Sequence, residues 1–177
     1  LPVPGRHNVH NAVAAAAMAL AAGLSLAEVS DGLKNFSNIK GRLNIKQGIK
    51  GATLIDDTYN ANPDSMKAAI DVLAAMPAPR IFVMGDMGEL GEDEAAAMHV
   101  EVGAYARDKG IEAAYFVGDN SVEAAETFGA EGLWFADKDP LIQVLSHDLP
   151  ERATVLVKGS RFMKMEEVVE ALATTTA

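Results

Sequence analysis

Four polar segments of the chain combine residue types that can hold a nucleotide or an anion. In Gly5-Arg6-His7-Asn8-Val9-His10-Asn11, Asn8 and Asn11 are three apart at the start of a helix and so share a face. A side-chain amide pairs a donor with an acceptor, which suits the edge of an adenine. A plain helix cap is an equal reading for Asn8. In Lys40-Gly41-Arg42, an arginine beside a glycine hinge can reach a phosphate as a domain closes; composition alone favours a solvated linker arginine. In Ile55-Asp56-Asp57-Thr58-Tyr59-Asn60-Ala61-Asn62-Pro63, two aspartates, a tyrosine and two asparagines gather where a short apolar strand ends. Carboxylates are costly to bury without partners, and the cluster is too polar for a core, so it reads as a functional site. Turn and capping roles also fit Asn60 and Asn62. In Lys158-Gly159-Ser160-Arg161, two cations, a hydroxyl and the free N–H groups of a helix start make an anion site for a carboxylate or phosphate. The plain alternative is Ser160 as an N-cap with solvated neighbours.

A fifth segment, Gly85-Asp86-Met87-Gly88-Glu89-Leu90-Gly91, also follows a strand, but its glycine spacing is not the dinucleotide fingerprint. It reads as a turn, with Glu89 a minor candidate for lining a cleft. The four histidines, His7, His10, His99 and His147, lack metal-ligand spacing, and His99 and His147 read as surface or packing residues. No metal site is expected. The sequence contains no phosphate-binding loop of the form G-x-x-x-x-G-K-[ST].

These segments must be positioned by regular elements, and the apolar pattern supplies them. Asn8 to Ala22 is an alanine-rich helix ended by Gly23, and a second short helix runs near Leu26 to Phe36. Two helices cannot enclose a core, so residues 1–40 are expected to belong to a larger domain. From residue 41 to residue 177 short apolar strands alternate with amphipathic helices. Strands are expected at Leu43–Lys46, Ala52–Asp56, Ile81–Met84, Ala114–Val117, Leu133–Phe135 and Thr154–Val157, with a final helix carrying Phe162, Met165, Val169 and Leu172. Asn62 and Pro63 are placed to cap and open one helix. This alternation predicts an α/β fold whose mostly parallel sheet is covered on both faces. Such sheets bind ligands beyond the C-terminal ends of their strands, where the third, fourth and fifth segments fall.

Composition narrows the classes. The 177 residues are 49% hydrophobic and 23% charged, which is globular. A net charge of -10 argues against a nucleic-acid surface. The absence of cysteine excludes disulfides and fits a reducing cytoplasm. No apolar run reaches transmembrane length, so no membrane insertion is expected. Leu1 in place of Met is what a fragment or a processed product would show.

Taken together and in order, the segments resemble the Mur ligase family. Gly5 to Asn11 with the alanine-rich helix resembles the signature that ends the family's central ATPase domain, and Lys40-Gly41-Arg42 looks like the hinge arginine that follows. The segment from Asp56 to Ser65, Gly85 to Gly91, and Val157 to Arg161 are similar to the branch that adds D-alanyl-D-alanine. The resemblance implies a helical remnant of the central domain over residues 1–40 and a Rossmann-like C-terminal domain over residues 41–177. It implies a cytoplasmic, monomeric enzyme that joins D-alanyl-D-alanine to UDP-N-acetylmuramoyl-tripeptide in peptidoglycan synthesis, using ATP and Mg2+. ATP phosphorylates the tripeptide's terminal carboxylate, and the dipeptide amine attacks the acyl phosphate. By the same resemblance, Asn8, Asn11, Arg42 and Asp57 contact ATP, and Tyr59, Asn60, Asn62, Lys158, Ser160 and Arg161 line the acceptor side. The phosphate-binding loop, the magnesium ligands and a modified lysine are expected upstream, so the chain alone is expected to be inactive. A stand-alone nucleotide-binding module, an interaction domain, and another Mur or folylpolyglutamate-type ligase are the competing readings.

Overall fold

The structure is a computed structural model that describes residues 3–174. It comprises two compact units, one ending at Ile39 and the other beginning at Lys40. The first contains α1 (Arg6–Ala21) and α2 (Leu26–Lys34). Neither helix has a buried residue, and Val9, Val13, Met18 and Leu26 are exposed. Gly23, at φ 97°, turns the chain out of α1. A reciprocal capping box between Ser25 and Glu28 starts α2. Gly5 occupies the N-cap of α1, and Asn8 lies inside the first turn, where its amide donates to the Pro4 carbonyl at 2.7 Å.

Among the described residues the second unit is a six-stranded sheet with five α-helices. In chain order it runs β1 (Asn44–Gln47), β2 (Thr53–Asp57), α3 (Pro63–Ala74), β3 (Arg80–Gly85), α4 (Glu92–Asp108), β4 (Ala113–Val117), α5 (Val122–Phe128), β5 (Gly132–Phe135), α6 (Lys138–Asp148), β6 (Thr154–Lys158) and α7 (Glu166–Leu172). The spatial order is β1-β2-β6-β3-β4-β5. Only β1 is antiparallel. The α/β sheet read from the sequence is therefore the observed one.

Side-chain alternation sends the two halves of each strand's apolar set to opposite layers. Leu54, Val83, Val155 and Val157 pack with Leu141 and Leu145 of α6 and Val168, Val169 and Leu172 of α7. On the other face Phe82 and Phe116 meet edge to face, and Phe116 meets Phe128 of α5 in the same way. Met66, Ile70 and Leu73 of α3 and Val102 of α4 are buried as well. Full burial of each such side chain stabilises the fold by roughly 1.5–3 kcal/mol. The strand β6, last in sequence, sits between β2 and β3, so residues about a hundred apart in the chain become neighbours.

The last helix is shorter than the apolar pattern suggests. Arg161–Met163 form a separate 3-10 turn, Lys164 adopts φ 49° and ψ 46°, and α7 starts at Glu166. A left-handed residue cannot continue a right-handed helix, so Phe162 stays off α7 and is exposed. His99 is not a surface residue but is fully buried on α4.

One side chain gathers the ends of several elements away from the cleft described below. Arg80 binds Glu112 through Nε at 3.1 Å and Nη2 at 2.7 Å, and also donates to the carbonyls of Ala74 and Gly110. The hydrogen bond from Arg80 holds the Glu112 carboxyl below its ordinary value, against an opposing contribution from burial. Arg80→Ala is expected to lower stability by about 1–2 kcal/mol in urea unfolding at neutral pH. A folded-state pKa below the unfolded one gives stability that is complete above the ordinary carboxylate range and lost as pH falls through the depressed value. The gap between Arg80→Ala and the parent is therefore expected to narrow in acid; a gap that widens there would contradict the assignment.

Candidate active site

In the parallel sheet, β2, β6 and β3 all end at one edge, at Asp57, Lys158 and Gly85. The helix after β6 lies on the opposite face from those after β2 and β3, so the outgoing loops diverge and leave a crevice. A cleft of about 210 Å³ opens there, and its wall includes Arg42, Asp57, Tyr59, Asn60, Asn62 and Lys158. Six of the ten residues singled out in the sequence thus line one cavity.

Its floor is a buried ion pair. Lys158 is 3% exposed and Asp57 9%. Lys158 Nζ lies 2.6 Å from Asp57 Oδ2 and donates also to the Asn60 carbonyl at 2.8 Å. The two residues are register partners on adjacent parallel strands, which is why their side chains meet. Asp57 Oδ1 accepts the Leu43 N–H at 3.1 Å. Leu43 has φ 50°, a conformation that costs a non-glycine residue about 1–2 kcal/mol, and this hydrogen bond helps hold it.

The adjacent Asp56 has a different role. One residue earlier on the strand means the opposite face. Its carboxylate is fully buried, accepts Lys46 Nζ at 2.7 Å, and accepts the Thr58 hydroxyl at 2.7 Å. It therefore ties the antiparallel edge strand β1 to β2.

Arg42 lies with its guanidinium carbon 4.4 Å from the centre of the Tyr59 ring, a cation–π stack that restricts where its donors point. The preceding Gly41 is pinned: its N–H donates to Asn44 Oδ1 at 2.7 Å and its carbonyl accepts the Tyr59 N–H at 2.9 Å. Its φ is 74°, and a Cβ there would come within 3.0 Å of the Tyr59 nitrogen. A glycine is required, but for close backbone approach rather than for free rotation.

Asn60 and Asn62 carry the local roles their type allows. Asn60 Oδ1 accepts the Ala61 N–H at 2.8 Å. Asn62 and Ser65 form a capping box that starts α3, with Pro63 in its first turn.

Ser160 and Arg161 are not among the residues lining the cleft. Ser160 is buried beneath it. Its hydroxyl accepts the Gly88 N–H at 2.7 Å and donates to the Ala61 carbonyl at 3.3 Å. The side chain of Arg161 is 65% exposed and pairs with Glu166 at 2.8 Å. Asn8 and Asn11 lie on α1, in the first unit.

The sequence did not reveal the support behind the cleft. The Asp86 carboxylate is buried and accepts the backbone and side-chain N–H groups of Asn120, each at 3.0 Å, and the Ser121 hydroxyl at 2.5 Å. A polar residue directly after the apolar run Ile81–Met84 and Gly85 was the one signal available. No partner for it could be named, because Asn120 and Ser121 follow a different strand.

Among the described residues no group of three histidine, cysteine or acidic side chains is placed to hold a metal ion. No helix of the described residues is long and apolar enough to cross a membrane.

Residues 41–161 match the family model described as "Mur ligase, glutamate ligase domain". The chain is 48% identical, over 97% of its length, to UDP-N-acetylmuramoyl-tripeptide--D-alanyl-D-alanine ligase of Escherichia coli (strain K12), and spans 38% of that protein. Among solved structures it is similar to MurF from Acinetobacter baumannii, at 39% identity and a TM-score of 0.85 over 96% of this chain and 38% of the other. It is also similar to MurF ligase from Thermotoga maritima in complex with ADP, at 26% identity and a TM-score of 0.79 over the same shares. With the model covering most of the chain and the polar cleft falling within the matched residues, this chain belongs to the Mur ligase family.

Proposed function

We propose that this chain serves as the C-terminal portion of a cytoplasmic ligase that adds D-alanyl-D-alanine to UDP-N-acetylmuramoyl-tripeptide at the expense of ATP. The supporting observation is that the 48% identity to the E. coli ligase runs across both units and the whole cleft. The chain spans 38% of that relative, and its sequence contains no G-x-x-x-x-G-K-[ST] loop. Phosphate activation is therefore assigned to the rest of the ligase, as are the residues that would hold magnesium.

The cleft residues fit the roles of binding and exclusion. Arg42, stacked on Tyr59, presents planar donors suited to a phosphate. Asp57 spends one acceptor site of each oxygen on Leu43 and Lys158. A carboxylate has about four such sites, so it retains capacity for the ribose hydroxyls of a nucleotide. The charge of Lys158 is offset by Asp57 and two of its three protons are used, leaving it one donor for a ligand. Tyr59, Asn60 and Asn62 are assigned to the acceptor wall, with Ser160 bonded to it through Ala61, and Arg161 to the acceptor side as well. Asn8 and Asn11 are assigned to the adenine. Because Gly41 is pinned to Tyr59, any hinge between the units lies at or before Lys40. An activated carboxylate is lost to water unless the site closes first, and such a hinge permits that closure.

The test is a chimera in which this chain replaces the matching part of the E. coli ligase. It is expected to release phosphate from ATP only when both the UDP-linked tripeptide and D-alanyl-D-alanine are present. Turnover with a single amino acid in place of the dipeptide would move the assignment to another branch of the family. The 177-residue chain alone is expected to release no phosphate with both substrates present, and turnover by it would refute the division of labour.

A further inference from the structure

The buried imidazole of His99 is far in sequence from every cleft residue, yet hydrogen bonds connect it to the cleft wall. His99 Nδ1 lies 2.6 Å from the Ala95 carbonyl oxygen. A carbonyl only accepts, so Nδ1 carries the ring proton. Nε2 is then an acceptor, and it takes the Met87 N–H at 2.8 Å. Asp86 Oδ1 is 3.6 Å from Nε2 and already accepts the Ser121 hydroxyl.

Met87 begins a short relay. The carbonyl of Asp86 accepts the Ser160 N–H at 3.0 Å. Two residues on, the Gly88 N–H donates to Ser160 Oγ, and Ser160 Oγ donates to the carbonyl of Ala61. Ala61 and Asn62 are cleft wall. The four segments come from α4 and from the loops after β3, β6 and β2.

We propose that His99 is a positioning residue for the cleft: through Met87, Gly88 and Ser160 it sets where Ala61 and Asn62 stand, and so how well the acceptor dipeptide is held. This assignment rests on the acceptor reading of the cleft given above. An apolar ring could fill the space of the imidazole. Only an acceptor satisfies the buried Met87 N–H, which would otherwise be left unpaired.

His99→Phe keeps a ring and removes the acceptor, whereas His99→Gln returns a carbonyl oxygen near the position of Nε2. In the chimeric ligase, His99→Phe is expected to raise the KM for D-alanyl-D-alanine about tenfold with kcat nearly unchanged, and His99→Gln to restore it. Ser160→Ala breaks the same relay, so its effect combined with His99→Phe is expected to fall well short of the product of the two. An unchanged KM, equal losses in the phenylalanine and glutamine variants, or fully multiplicative effects would each overturn the proposal. Two-dimensional NMR of the 177-residue chain provides a readout independent of the ligase reading. The amide signals of Ala61 and Asn62 are expected to move in His99→Phe and to stay in His99→Gln. If the unsubstituted chimera shows no dependence on D-alanyl-D-alanine, the ligase reading fails by itself, and the relay stands or falls on whether those two signals move.

Discussion

Lys158→Met is expected to lower the stability of the 177-residue chain by about 3–5 kcal/mol, because it removes one partner of a buried ion pair and strands the other. The loss has two parts. Asp57 Oδ2 would be left without its 2.6 Å partner at a site 9% exposed. The Asn60 carbonyl would lose its donor as well, which loosens the turn leading into α3. Urea unfolding followed by circular dichroism measures the change. The double variant Asp57→Leu with Lys158→Met buries no unpaired charge, and apolar replacement of both partners of such pairs is often neutral or stabilising. It is expected to recover part of the lost stability, since the Asn60 carbonyl and the Leu43 N–H remain without their partners. In the chimeric ligase the same double variant is expected to remain inactive, since the carboxylate proposed to hold the nucleotide is gone and Leu43 loses its anchor. Stability that returns without activity separates the pair's structural role from its binding role. A Lys158→Met variant that unfolds at the parent's midpoint would contradict the buried pair.

Gly118→Ala is expected to be nearly as damaging, by about 3 kcal/mol or more, although Gly118 touches no proposed substrate. Its φ is 118°, which L side chains rarely adopt, and a Cβ there would overlap the Asp86 carboxylate. That carboxylate cannot yield, because it is held by Asn120 and Ser121. Gly129 provides the control. It has a similar φ of 111° but open space where the Cβ would go, so Gly129→Ala should show the backbone strain alone, about 1–3 kcal/mol. Equal losses at the two positions would mean that Asp86 shifts freely, and the support behind the cleft would then be softer than the geometry requires. Because the loop after β3 bears on Ser160, any surviving Gly118→Ala protein should also bind the acceptor dipeptide less tightly.

The sequence by itself determined much of the site. The capping pair Asn62 and Pro63, the strand endings to within one residue (read at Asp56 and Val157, found at Asp57 and Lys158), and the parallel α/β alternation all follow from rules that act over a few residues. The order of the polar segments by itself resembles that of the family. Even the split between Asp56 and Asp57 is implicit in the two-residue period of a strand, once one face is known to open on the cleft.

What the tertiary structure decided is which polar groups are already spoken for. Lys158 and Asp57 are 101 residues apart, and only the insertion of β6 between β2 and β3 makes them partners. Two groups that looked available to ligands are thereby largely committed to each other. Ser160 is drawn under the cleft and Arg161 is directed outward to Glu166 by the left-handed turn at Lys164, a break the apolar pattern did not betray. His99, read as a surface or packing residue, and Asp86, read as part of a turn, emerge as the support behind the wall. Local sequence rules specify what each segment can form, because they depend on neighbours within a turn or a strand. Strand order and hydrogen-bond partners across the sheet depend on how the apolar faces of the whole unit pack, and no window of a few residues contains that information.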